Sequence, residues 1–210
     1  MRYLAVICTL LASLSVAFAQ GGSATSPRTV TLEPSIPNDL VSVVKLTLDG
    51  VEVKPGIPFP AGDDWFGQIG IVIENMSAKK IVFVAGQLRF PETGGATAEH
   101  LAVMARISIG LRPRGVREGR RPDDVPSVPI LVDPSQEVTV PVVEDVQRIK
   151  KMIESRRPSS SVTTCAIGIN TLYFEDGTDW LSPGLYFRAD PNTPGRWVRI
   201  SRKEFDAYQN

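Results

Sequence analysis

Cysteine is nearly absent from this chain: there are two in 210 residues, Cys8 and Cys165. Cys8 sits in the apolar run of MRYLAVICTLLASLSVAFA, which has a basic residue at Arg2 and small residues at Ala17 and Ala19. That pattern is a secretory signal peptide, residues 1–19, cut after Ala19. The run from Tyr3 to about Val16 is shorter than the roughly 20 residues a membrane-spanning helix needs. Once Cys8 leaves with the peptide, Cys165 has no intramolecular partner, which excludes a small disulfide-stapled domain. About 190 residues remain, enough for one ordinary hydrophobic core. Cys165 alternates with Ile167 and Ile169, as a buried small hydrophobe does; a reactive thiol would instead call for a polar, accessible setting.

Histidine is scarcer still. His100 is the only one, so a zinc site would need carboxylates and Cys165, and a Ser-His-Asp unit would have to use this residue. No G-x-S-x-G or H-E-x-x-H pattern accompanies it, nor any phosphate-binding glycine loop. No cofactor or metal is expected, and the chain does not read as an enzyme. Charge of one sign is also lacking. The precursor carries 23 basic and 23 acidic residues, so no global field draws it to nucleic acid or anionic membrane. A second long apolar run is missing too, so stable membrane insertion is not expected after cleavage. The expected location is periplasmic or extracellular.

What the chain does have is short alternating segments cut by glycine and proline. Residues 20–27 form a small, polar, flexible leader, and 28–210 read as one β-sandwich domain. Thr29 to Leu32 and Val41 to Leu48 alternate, and Asp49-Gly50 before Val51-Glu52-Val53 signals a hairpin. Trp65 to Glu74 places Ile69, Ile71 and Ile73 on one face. Lys79 to Phe90 is apolar on both faces at first, as in a central strand. Within Thr97 to Leu111, strict alternation of Leu101, Val103, Ala105, Ile107 and Ile109 reads as a strand despite the alanines. Val128 to Val132 and Val138 to Val142 read as strands around Asp133-Pro134-Ser135.

One helix is expected at about 143–156, with Val146, Ile149 and Ile153 on one stripe, Glu144 and Asp145 in the first turn and Arg156 and Arg157 at the end. The segment Ser161 to Ile200 reads as a strand that turns at Asp176-Gly177, the dipeptide favoured by a type I′ turn, and supplies much of the core. Ser201 with Glu204 forms a capping box for a short terminal helix. The fold class is therefore mainly β: an antiparallel two-sheet, immunoglobulin-like sandwich with one amphipathic helix before the C-terminal hairpin.

The pattern IENMSAKKIVFVAGQLRF, the helix after VTVPV, and the ending LYFEDGTDW…GLYFRADPNTPGRWVRI resemble a group of secreted bacterial proteins. These are acidobacterial-type Ig-like sandwiches of uncharacterised activity that carry an aromatic-DGT-x-Trp hairpin. The resemblance covers most of the mature chain. It implies bacterial secretion and carries over no functional residue.

Several constellations are candidates for function. Arg112, Arg114, Arg117, Arg120 and Arg121 fall within ten residues and suit a grip on phosphate or carboxylate, or simply a solvated loop; no aromatics interleave them, which disfavours nucleic acid. Trp65, Trp180 and Trp197, with Tyr186, are either core rings or an exposed platform for sugar. Glu175, Asp176 and Asp179 crowd one turn, whereas paired catalytic carboxylates come from separate elements across a cleft. Asp190 to Gly195 loosely resembles the start of a calcium loop, but Pro194 takes the fifth position and Ser201 the twelfth, where a glutamate belongs. Asn75-Met76-Ser77 matches a glycosylation acceptor triplet and is given no weight. The reading that follows is a non-catalytic secreted module contacting a protein or a cell-surface component. The alternatives are a carbohydrate-binding module and, less favoured, a hydrolase using Glu175 or Asp179.

Overall fold

The computed structural model describes residues 25–34, 36–95, 102–111, 128–142 and 145–208. Its larger sheet is built around β9 (Thr164–Phe174). One edge of β9 pairs along its length with β6 (Ile81–Phe90), which pairs in turn with β7 (Val103–Gly110). The other edge is shared. Its first half pairs with β1 (Ser26–Leu32), and its second half with β10 (Thr178–Leu181). β4 (Phe59–Ala61) extends the β1 side, and β11 (Leu185–Ala189) and β12 (Trp197–Ile200) extend the β10 side. The smaller sheet runs β3 (Val51–Val53), β2 (Val41–Leu48), β5 (Ile69–Asn75), β8 (Glu137–Val140).

Alternation explains both sheets, because residues two apart on a strand share a face. Ile69, Ile71 and Ile73 of β5, Val84 and Leu88 of β6, Val103, Ala105 and Ile107 of β7, and Cys165, Ile167 and Ile169 of β9 are all buried in one core. The helix α1 (Val146–Glu154) adds Ile149 and Ile153 to that core and is N-capped by the Asp145 side chain, which accepts from the Gln147 amide. Arg156 and Arg157 lie past its end, where their guanidinium groups hold the Thr93 and Glu92 carbonyls. A second helix, α2 (Arg202–Ala207), begins at the expected capping box.

The architecture is the expected one, mainly β in two sheets with a single longer helix. Its details depart from the sequence reading in four places. β1 runs parallel to β9, so the larger sheet is mixed; β1 and β9 are far apart in sequence, and local alternation carries no information on strand direction. Trp65 to Gln68 form a 3-10 turn before β5, with Trp65 and Phe66 buried. Val128 to Val132 contributes one bridge, Val132 to Ile81, in a stretch where Pro129 has no amide to donate.

The fourth departure is the turn at Asp176-Gly177. It is not type I′: Gly177 has φ 77° while Asp176 does not share the positive-φ region. Glu175, Asp176 and Gly177 instead make a three-residue loop, closed by the Gly177 amide on the Phe174 carbonyl at 3.1 Å, the form in which only the third loop residue is left-handed. The Asp176 carboxylate accepts from the Thr178 amide at 2.9 Å and hydroxyl at 2.6 Å, a local bond that favours this loop. Asp49-Gly50 does adopt the two-residue form, with φ 50° and 79°.

Candidate functional site

Of the sequence candidates, the five arginines Arg112, Arg114, Arg117, Arg120 and Arg121 lie outside the described residues, as do His100 and Glu144. The tryptophans do not form a platform. Trp65 and Trp180 are 1 % and 2 % exposed, because Trp65 packs edge-on to Phe59 and Trp180 shares the core face of its sheet with Leu172 and Tyr186. Trp197 is half-buried and leans on Tyr173 at 5.7 Å between ring centres, and Tyr173 in turn meets Phe83 at 5.4 Å. One partly open indole remains on the outer side of the larger sheet.

The carboxylates around the hairpin are dispersed. Glu175 is exposed, Asp179 is buried next to Tyr173 in the sheet, and Asp176 is bound by the Lys79 ammonium. Asp190 serves its own turn, accepting from the Asn192 amide at 2.9 Å. Among the described residues, no group of three His, Cys, Asp or Glu side chains is placed to hold a metal ion. Cys165 is fully buried, and desolvation, with the charge of Glu92 adding to it, pushes its thiol pKa far up. An undissociated thiol is a poor nucleophile.

Asn75 is the least expected finding. It is fully buried, and its amide donates to the carbonyls of Lys79 at 2.7 Å and Val132 at 2.9 Å while its oxygen accepts the Ser77 amide and hydroxyl. The glycosylation triplet is thus a structural pin joining the β5–β6 turn to the Val132 bridge that precedes β8. Arg28, also fully buried, clamps β1 to the carbonyls of Ser160 and Val162 and pairs with Asp63 at 2.9 Å.

Two surface depressions stand out. The larger, 470 Å³, lies between Glu92–Gly95 and Ser155–Arg157. Its arginines are spent on structure: Arg157 donates to Ser161 Oγ at 2.9 Å and to the Glu92 carbonyl. The smaller, 200 Å³, lies along the edge of β2, lined by Val43 to Leu46 and Glu52 to Pro55. Here the local sequence creates an opening. The Asp49-Gly50 turn fixes β3 opposite Leu46, Thr47 and Leu48 only, and Pro55 with Gly56 turns the chain away, the Gly56 amide bonding to the Val30 carbonyl. A register shift between Val43 and Lys45 leaves Val44 as the extra residue of a bulge, 47 % exposed. Val51 at the start of β3 is 69 % exposed. Among the described residues, no strand pairs with Val41 to Lys45 on this side.

In comparisons with protein-family models, with curated proteins and with solved structures, the chain matches nothing.

Proposed function

We propose that this chain is an exported, non-catalytic β-sandwich module that binds a protein component of the cell surface, and that the open edge of β2 is its contact. The observation that carries this reading is the stretch Ser42–Lys45, bordered by a groove and without a strand partner on the β3 side, beyond the point where the Val41 amide is held by the Pro37 carbonyl. An open edge offers main-chain donors and acceptors to an added strand, and flanking side-chain pockets supply selectivity. Val44 and Val53 line the groove and provide apolar contacts at that place. The bulge and Lys45 discourage indiscriminate edge pairing, which suits selective binding better than self-association. The signal-like N-terminus and the resemblance to secreted bacterial proteins support export.

Sugar binding is disfavoured by the burial of Trp65 and Trp180, which leaves Trp197 without a second indole. The hydrolase reading is disfavoured by the separation of exposed Glu175 from Asp179, which is buried in the sheet opposite Tyr173.

The test is a photo-crosslinking side chain at Val44, with the same group at exposed Met104 on β7 as control, in an exporting bacterial host. A discrete protein adduct from position 44 and none from position 104 is expected. Equal labelling from both positions, or none from Val44, overturns the reading.

A further inference from the structure

The C-terminal helix α2 is fastened in an unusual way. Its six residues bury one side chain, Phe205, between the rings of Phe174 at 5.3 Å and Tyr186 at 4.8 Å. A helix this short does not persist in water by itself, so α2 exists only while docked. Two cations hold the dock. Lys79, from the β5–β6 turn, donates to the Asp176 carboxylate and to the Tyr208 carbonyl, and its ammonium stands 4.7 Å from the centre of the Phe205 ring. Arg202, within α2, reaches outward to the Asp39 carboxylate and donates to the Tyr186 hydroxyl at 2.9 Å. The Lys79 backbone is itself fixed, because its carbonyl accepts from buried Asn75 and from Ser77.

Lys79 therefore joins the Phe205 ring of α2 to the Asp176 carboxylate, and Arg202 of α2 reaches the Tyr186 ring and the Asp39 carboxylate. Losing one ionic contact loosens α2, whose Phe205 is the single side chain it adds to the core. We propose that α2 is a strap that opens as a unit at Ile200–Ser201 while both sheets stay folded, with Lys79 as its pin. The open state presents the rings of Phe174 and Tyr186. The strap meets the segment before β2 through Arg202 and Asp39, and its test does not depend on what binds the β2 edge.

Amide hydrogen exchange on the full chain tests this. Glu204, Phe205 and Tyr208 should exchange on the order of 100-fold faster than Ile167 and Leu172 of β9, as expected of a sub-global opening. Lys79→Met should speed α2 exchange about tenfold and leave β9 unchanged, since a charge-assisted bond and a cation–aromatic contact are lost together. Salt at about 1 M should act in the same direction, more weakly, because the pair is partly buried. Lys80→Met, which breaks only the exposed pair with Asp133, should leave α2 as it was. Exchange of α2 at the rate of β9, equal acceleration of both by Lys79→Met, or an equal effect of Lys80→Met would each overturn the proposal.

Discussion

Gly86 of β6, which pairs with Ile169 just past a register shift, lies so close to the neighbouring Gly168 of β9 that a Cβ on Gly86 would stand 2.1 Å from the Gly168 carbonyl oxygen. The obstacle is backbone, which cannot rotate away, and it lies in the pair that joins the two longest strands. Gly86→Ala should therefore cost roughly 2–4 kcal/mol, the range of overpacking and backbone strain in a core. Denaturant unfolding should show a lowered midpoint. A change within about 0.5 kcal/mol, the size of an ordinary surface substitution, would mean the strands part easily here.

Asn75 gives a second expectation. Replacing it with leucine keeps the volume and leaves the Ser77 amide and the Val132 and Lys79 carbonyls without this partner. The Val132 carbonyl keeps the Ile81 amide and the Lys79 carbonyl keeps the Ser77 hydroxyl, so the unsatisfied Ser77 amide dominates and Asn75→Leu should destabilise by roughly 1–3 kcal/mol. Asn75→Asp should fall short of rescue, because a carboxylate has no donors for the two carbonyls. Equilibrium unfolding of both variants checks this.

Glu74 and Glu137 are directly opposed across β5 and β8, both on the outward face of the smaller sheet. Like charges in this position repel. Glu137→Lys should raise stability by about 0.5–1 kcal/mol, with the gain shrinking as salt is added. A loss of stability in urea denaturation would show that the repulsion is already relieved by solvent.

Trp197 is the single described tryptophan with appreciable access. Emission should be blue-shifted overall, with one component that acrylamide quenches, and Trp197→Phe should remove that component. Strong residual quenching in the variant would place Trp65 or Trp180 nearer the surface than the structure has them.

Glu204 closes the capping box: its carboxylate accepts from the Ser201 amide and hydroxyl, both at 2.7 Å. These bonds, the amide's foremost, hold its pKa below the usual glutamate value. Because the folded value is the lower one, the contribution to α2 is present above the unfolded value of about 4.3 and is lost as pH falls through the folded one. The Ser201 amide resonance should follow that titration in acid, and Glu204→Gln should abolish it. A Ser201 shift that titrates unchanged in the variant would assign the effect to another carboxylate.

Much of this was legible in the chain. The alternation of Ile69, Ile71 and Ile73, and of Val103, Ala105 and Ile107, marked buried strand faces because period two has one physical meaning. The stripe of Ile149 and Ile153 marked α1, and Ser201 with Glu204 marked α2, because caps and amphipathic faces are local. The Asp176-Gly177 loop was misread, since its form depends on a carboxylate bonding to Thr178 and held from outside by Lys79.

The sequence by itself determined most of the strands, both helices and their buried faces, since each follows from the chemistry of neighbouring residues. Tertiary structure alone decided that β1 lies parallel to β9, that Trp65 and Trp180 are core, that Asn75 is a pin, and that β3 stops short on β2. Those outcomes depend on residues far apart in the chain reaching the same few ångströms, where burial and hydrogen-bond satisfaction assign roles that composition and spacing do not carry.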